Sequence, residues 1–147
     1  MPKYSRRSLF ALRSCTPNLQ RLFAKIVQRY DNSITEGHRG ETAQNRAFNE
    51  GRSKLRWPNG KHNRYPSNAV DSYPYPIQMG GPLVDADGNL NRANLRALLR
   101  FYHYAGYVQG VAAEMGIPLR WGGDWDGDFD FSDQSFNDLV HFEEKES

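Results

Sequence analysis

The first third of the chain repeats its apolar positions with a helical period. In TPNLQRLFAKIVQRY, residues 16–30, apolar side chains recur every three or four residues. Thr16 can cap this helix and Pro17 suits its first turn. A shorter helix is expected just before it, around Arg6–Arg13. The pattern therefore predicts two consecutive helices, the second with a strongly apolar face.

Two further helices are predicted downstream. ETAQNRAFNEG indicates a helix that ends at Gly51, and Asn91 can cap a long helix that runs through Met115 with Gly116 as its terminator. The shorter helix has an apolar face of Ala43, Ala47 and Phe48. The buried side of the long helix is expected to consist of Leu95, Leu98, Leu99, Tyr102, Ala105, Ala112 and Met115.

Four segments have the pattern of strands. SITEG, AVDSYP, IPLRW and DLVHFE are short, and successive side chains in a strand point to opposite faces. In AVDSYP this alternation places Ala69, Asp71 and Tyr73 on one face. The order of elements predicts an α+β domain with a small, mainly antiparallel sheet and packed helices.

Composition and charge narrow the class of protein. The chain has 147 residues, a size typical of one domain, and a formal net charge of +2. Basic residues are concentrated before residue 65 and acidic residues after residue 123, a polarity that would suit an anionic polymer such as bacterial cell wall or nucleic acid. The single cysteine, Cys15, is expected to be a buried thiol. No stretch has the length of a membrane span and the N-terminus lacks an apolar signal core, so a soluble, monomeric, cytoplasmic product is expected.

Two histidines and one aspartate are spaced so that a sheet could bring them together. His62 lies in a loop, Asp71 on one predicted strand and His141 on another. A catalytic zinc ion takes about three such protein ligands and leaves one position open to water. Spacing alone leaves alternatives open, because a loop histidine is often solvated and HFE near a chain end could be a surface strand.

A metal-activated water also needs a base that accepts its proton. Asp138, three residues before His141, is one candidate if the chain turns just before the strand. Glu143 is the other, because it shares a strand face with His141.

Other titratable residues have weaker claims to a role. His38 adjoins Arg39 and could line a cleft, whereas His103 is expected on the packed or exposed face of the long helix. A run of aspartates begins at Asp124, but it lacks the glycine and glutamate of an EF-hand at the required positions. A solvated loop is therefore favoured there over a calcium site. The acidic residues in question are Asp124, Asp126, Asp128, Asp130 and Asp133.

Two separated motifs resemble those of one enzyme family. SKLRWPNGKHNRYPSNAVDSYPYP, residues 53–76, resembles the histidine-to-aspartate motif of the VanY-type D-alanyl-D-alanine carboxypeptidases and the related phage L-alanyl-D-glutamate endopeptidases. RWGGDWDGDFDFSDQSFNDLVHFE, residues 120–143, resembles their C-terminal motif, in which an acidic residue precedes the last histidine by three. Together with EGHRGETAQNRAFNEGRSK, the resemblance covers roughly residues 16–143. The sequence differs from the family pattern just before His62. Many relatives carry serine one or two residues before this histidine, where this chain has Lys61 and Gly60.

The resemblance implies a zinc peptidase that cuts the peptide stems of bacterial peptidoglycan, with a fold shared with the Hedgehog signalling domain. The zinc ligands that it implies are His62, Asp71 and His141, with Asp138 as the general base. Arg39 stands where a family arginine binds substrate or stabilises the developing oxyanion, a role that suits the two donors of a guanidinium.

The sequence is compatible with several functions. The leading expectation is a phage endolysin with L-alanyl-D-glutamate endopeptidase activity. It would be made in the host cytoplasm without a signal peptide and reach the wall through a membrane lesion made by another protein, such as a holin. A D-alanyl-D-alanine carboxypeptidase is the close alternative. A non-catalytic wall-binding or Hedgehog-like module is disfavoured by the intact base, and a nucleic-acid binder by the lack of a recognised motif.

Overall fold

The computed structural model describes residues 1–146, in which four helices pack with a four-stranded sheet. In chain order the elements are α1 (Arg6–Arg13), α2 (Pro17–Val27), β1 (Asn32–Glu36), α3 (Glu41–Asn49), β2 (Ala69–Pro74), α4 (Arg92–Glu114), β3 (Leu119–Gly122) and β4 (Asp138–Glu144). The predicted α+β class is confirmed. No helix within the described residues is both long enough and apolar enough to cross a membrane.

Side-chain caps begin three of the helices. The side chain of Ser5 accepts a hydrogen bond from the Ser8 amide at α1, and that of Asn91 accepts one from the Asn94 amide at α4. Thr16 caps α2 in the same way, as predicted. These caps satisfy amide groups that have no partner inside the helix.

The sheet has the order β1-β2-β4-β3, and neighbouring strands are antiparallel. The two inner strands therefore come from distant parts of the chain. In their register Asp71 of β2 lies directly opposite His141 of β4. On the other side of β2, Asp71 is paired with Glu36 of β1. Cross-strand partners of this kind lie close together, so the sheet itself joins the two sequence motifs.

The hydrophobic core lies between the sheet and helices α2 and α4. The apolar face of α2 is buried as predicted, and Phe23 packs edge-on against Phe142 of β4 with ring centroids 5.9 Å apart. Cys15 lies in the same core with 1% of its surface exposed, as expected.

The buried face of α4 differs from the prediction. Leu99 is 54% exposed, and Leu95 and Leu98 are only partly buried. The residues that α4 does bury are Ala97, Phe101, Tyr104, Ala105, Val108 and Ala112. This helix is apolar on more than one side, so periodicity alone does not fix its rotation. The buried hydroxyl of Tyr104 contributes to fixing it, because it lies 2.6 Å from the Ser72 hydroxyl of β2.

Candidate metal centre

Three side chains from separate elements converge on the floor of an open cleft. Asp71 and His141 face each other across β2 and β4, and His62 reaches them from the loop between α3 and β2. Their potential ligand atoms all lie within 4.8 Å of one another. The structure therefore brings together all three residues that the sequence predicted as ligands.

Backbone contacts fix the orientation of His62. Its Nδ1 lies 2.8 Å from the carbonyl oxygen of Gly37, and a carbonyl can only accept, so Nδ1 carries the proton. The backbone amide of Arg39 donates to the His62 carbonyl at 2.8 Å and holds the loop in place. The lone pair of His62 Nε2 is left pointing at Asp71 Oδ1, 3.2 Å away.

A carboxylate sets the orientation of His141. Its Nε2 lies 3.0 Å from Glu143 Oε1, so this nitrogen donates to the carboxylate. The other nitrogen, Nδ1, lies 3.4 Å from Asp71 Oδ1. A metal-binding histidine usually gives its second N–H to such a partner, which turns the free lone pair toward the ion.

The geometry fits a small tetrahedral cation. His62 Nε2 and Asp71 Oδ1 are both buried and have no hydrogen-bond partner within residues 1–146. In this tautomer both atoms are acceptors, an arrangement that is costly unless a cation lies between them. Zinc bonds of about 2.0 Å in a tetrahedron place neighbouring ligand atoms about 3.3 Å apart. The observed separations of 3.2 and 3.4 Å agree with that value.

The electrostatics of the centre favour positive charge. Burial opposes ionisation of Asp71, but its attraction to the rings of His141 and His62 holds its pKa well below the ordinary value. Burial also disfavours the charged form of His141, but Asp71 and Glu143 outweigh that effect and raise its pKa to about 9. A proton or a metal cation is therefore stabilised at this point.

Asp138 borders the same centre because the sheet is irregular beside it. In a regular strand, residues three apart point to opposite faces. Here Trp121 pairs with Phe142 while the next residue, Gly122, pairs with Asp138, so the register of β4 shifts between them. This shift accompanies the placement of Asp138 Oδ2 4.0 Å from His141 Nδ1. Burial and the nearby charge of Asp71 raise the pKa of Asp138.

Glu143 contacts Nε2 of the His141 ring, not Nδ1, which is the nitrogen that faces Asp71. Its Oε1 accepts from His141, and its Oε2 lies 3.4 Å from the Nη1 of Arg120 on β3. Burial raises the pKa of Glu143, but the hydrogen bond from His141, together with the positive charges of His141, Lys61 and Arg120, outweighs it, so the net shift of the pKa is downward. Glu143 is therefore placed to orient His141, whereas Asp138 is placed beside the candidate ligand atom of His141.

Arg39 lines the cleft next to the three converging side chains. Its Nε donates to Glu36 Oε1 at 2.9 Å, and its Nη1 donates to Gln44 Oε1 at 3.1 Å. These two contacts hold the guanidinium plane in one orientation, and the remaining N–H groups are available to a ligand in the cleft.

Sequence reasoning missed the buried amide that supports this arrangement. Gln44 of α3 is fully buried. Ala43, which was predicted to lie on the apolar face of this helix, is exposed instead. Its Oε1 accepts from Asn63 Nδ2 at 3.0 Å as well as from Arg39. A polar residue in helical register with the buried Ala47 was the available signal.

Gly60 is explained by the same network. A Cβ atom at this position would lie 2.5 Å from Asn63 Oδ1 and 2.6 Å from Gln44 Cδ. The amide of Gly60 also donates to Asn63 Oδ1 at 2.7 Å. Glycine lets the chain pass close to the buried amide, which accounts for the departure from serine.

Aromatic side chains form the wall of the cleft, a cavity of about 640 Å³. Tyr73, Trp125 and Phe136 line it, and the rings of Trp125 and Phe136 are stacked with centroids 6.4 Å apart. Trp125 also lies 5.4 Å from the ring of His141. Trp121, by contrast, belongs to the core.

The other two histidines lie outside the cleft lining. His38 Nδ1 is 3.1 Å from the carbonyl of Arg64, and His103 Nδ1 is 2.8 Å from the Tyr30 hydroxyl on the exposed side of α4. His103 thus has the structural place that the sequence indicated.

The acidic loop is only partly as expected. Asp126 and Asp128 are exposed, but Asp124 is buried, with its Oδ2 accepting from the Phe129 amide at 3.0 Å. The carboxylates of these three aspartates lie within 4.8 Å of one another. The solvated-loop interpretation therefore fails for Asp124.

Two central strands and one loop thus present a compact group of two histidines and one aspartate in an open cleft, a ligand set that is typical of metal-dependent hydrolases. The family comparison gives a particular assignment within that class. The model of the phage L-alanyl-D-glutamate peptidase family matches residues 1–144, so the chain belongs to this family. The resemblance drawn from the two motifs is confirmed, and the match extends to the N-terminal helix as well.

A solved structure shares the fold. The crystal structure of the Serratia marcescens L-Ala D-Glu endopeptidase ChiX is 23% identical and superimposes with a TM-score of 0.63. The match covers 97% of this chain and 90% of that chain. No curated protein matches the chain in sequence. Family and fold together make this protein a peptidoglycan endopeptidase of the phage endolysin type.

Proposed function

We propose that this chain hydrolyses the L-alanyl-D-glutamate amide bond of peptidoglycan stem peptides with a zinc ion held by His62, Asp71 and His141. The observation that carries the zinc proposal is the pair of buried acceptors, His62 Nε2 and Asp71 Oδ1, that face each other at 3.2 Å. The donor set of two imidazoles and one carboxylate suits zinc and leaves a fourth position free.

When bound, zinc would lower the pKa of a water molecule toward neutrality and polarise the scissile carbonyl. Asp138 Oδ2 then accepts the proton of the attacking water and later passes it to the leaving amine. Its raised pKa suits a group that must hold a proton during part of the cycle. Its side chain is 35% exposed, so a water molecule can reach it from the cleft.

Arg39 serves the substrate in this proposal. Its free N–H groups donate to the carbonyl oxygen that gains negative charge during the reaction. Glu36 and Gln44 hold the guanidinium rigid, so less conformational freedom is lost on binding.

Endopeptidase activity is favoured over the carboxypeptidase and the non-catalytic module. The matched family consists of L-alanyl-D-glutamate peptidases, which supports cleavage inside the stem rather than removal of a terminal D-alanine. A non-catalytic wall-binding module would not need Asp138 beside the candidate metal centre with a raised pKa.

We further propose that residues 1–147 act as one monomeric catalytic domain. In support, a single core cluster includes Leu12 of α1 and Phe142 of β4, so the two ends of the chain share one interior. As an endolysin, the protein would be made in the host cytoplasm and would meet the wall after a holin opens the membrane.

The direct test is digestion of purified peptidoglycan followed by mass spectrometry of the soluble products. The proposal predicts fragments with a new N-terminal D-glutamate. Loss of one alanine from each stem, with no internal cleavage, would instead identify a carboxypeptidase and contradict the proposal.

The same assay tests the zinc requirement. Dialysis against a chelator should abolish hydrolysis, and zinc alone should restore it, because the metal is proposed to activate the water. Full activity of a protein shown to contain no metal would contradict this part of the proposal.

A further inference from the structure

Two arginines and two lysines line the cleft, and within the described residues only the arginines form ion pairs. Arg39 forms an ion pair with Glu36 at 2.9 Å, and Arg52 forms one with Glu50 at 2.6 Å. These two charges are compensated inside the protein. The other two basic residues of the lining are Lys54 and Lys61.

Lys54 and Lys61 have no acidic partner within 4.0 Å among residues 1–146, and both are exposed at the cleft. Lys61 directly precedes His62 in the chain. The Nζ of Lys54 lies 4.9 Å from the ring centroid of Phe136, which forms part of the cleft wall. Neither ammonium group forms an ion pair among these residues, although Lys61 is close enough to Glu143 for its charge to act on that carboxylate. Both remain accessible to a ligand in the cleft.

The acidic residues of the cleft do not neutralise these lysines. The lining contains only Asp71 and Asp138 as acids among the described residues. In the proposed function both carboxylates are balanced by a divalent cation. Lys54 and Lys61 then leave an excess of positive charge, which favours an anionic substrate.

The proposed substrate carries such an anion next to the reacting bond. A D-glutamate that continues the stem through its side-chain carboxyl keeps its α-carboxylate free, on the residue whose amide nitrogen is released. Conversion of that carboxylate to a carboxamide removes the charge with almost no change of shape. Stem peptides with the free α-carboxylate and stem peptides with the carboxamide therefore differ in charge at this position and hardly at all in shape.

We infer that Lys54 and Lys61 are specificity-determining residues that bind the free α-carboxylate of the stem D-glutamate and so select unamidated stems over amidated ones. This inference rests on the proposed function and adds to it the chemical form of the substrate. Lys61 directly precedes the candidate ligand His62, and Lys54 lines the same cleft beside Phe136.

The test compares two soluble synthetic stem peptides that differ only in this group, one with the α-carboxylate and one with the carboxamide. The zinc-loaded wild type should have a kcat/KM about tenfold higher for the free acid, the size expected from two partly exposed ion pairs. In the Lys54→Gln, Lys61→Gln double variant the ratio between the two peptides should fall toward one. Added salt should lower the wild-type ratio in the same direction, because it screens exposed charges.

Lys25→Gln is the matched control, since it removes an exposed lysine of α2 that does not line the cleft. It should leave the wild-type ratio unchanged. A wild type that cleaves both peptides equally, or a double variant that keeps the full preference, would overturn the inference while the proposed function stands. If folded, zinc-loaded wild type cleaved neither peptide, the proposed function would fail and the inference with it.

Discussion

Replacement of Asp138 by asparagine tests the assignment of the base. Asparagine has nearly the same size but cannot accept a proton at neutral pH. Asp138 Oδ2 lies 4.0 Å from His141 Nδ1 and its side chain is 35% exposed, so the substitution should leave the core packing and the three candidate ligands in place. Loss of a positioned general base costs about 10²-fold to 10⁴-fold in rate. At about 1.36 kcal/mol per tenfold, the barrier should rise by about 2.7–5.4 kcal/mol.

Glu143→Gln is the matched comparison, because it also neutralises one carboxylate that contacts His141. Glutamine at this position weakens the hydrogen bond that orients the ring, so zinc affinity should fall by about 10-fold to 100-fold. Zinc affinity is measured by competition with a chromogenic chelator, and kcat is measured at saturating zinc. Asp138→Asn should lose kcat with zinc affinity retained, and Glu143→Gln should show mainly the loss of affinity. The opposite pattern would mean that the two carboxylates have exchanged roles.

Two predictions concern the scaffold. Gly60→Ala should lower the free energy of unfolding by about 1–3 kcal/mol, because the added methyl group overlaps Asn63 and Gln44; a denaturation midpoint equal to that of wild type would refute this packing argument. Burial raises the pKa of Cys15 from 9.0 to about 12, so the fold favours the neutral thiol. This stabilisation is complete below pH 9 and is lost as the pH rises toward 12. At pH 8 the thiol should react with a disulfide reagent far more slowly in the folded protein than in denaturant, and equal rates would show that Cys15 is accessible.

Local rules predicted the helices well, because their signals lie within a few residues. Thr16 and Asn91 cap α2 and α4 as their positions in the sequence indicate. The rotation of α4 could not be predicted in this way. Its apolar residues surround more than half of the helix, and the buried contact between Tyr104 and Ser72 joins residues 32 positions apart.

The candidate site was predictable in its residues but not in all of its geometry. Strand alternation places Asp71 on a definite face, and the motif resemblance supplies its companions His62 and His141. The position of Asp138 depends on a register shift between β3 and β4 that no alternation rule contains. The role of Glu143 depends on which nitrogen of His141 it contacts, and only three-dimensional structure reveals that.

A crystal structure of the protein grown with zinc, with diffraction data recorded on both sides of the zinc absorption edge, would show whether His62, Asp71 and His141 hold the metal. We expect one anomalous peak that lies about 2.0–2.2 Å from each of His62 Nε2, Asp71 Oδ1 and His141 Nδ1. Crystals of a His62→Ala variant grown under the same conditions should lack that peak. A wild-type crystal with the zinc peak elsewhere, and with none between these three side chains, would show that they do not form the zinc site.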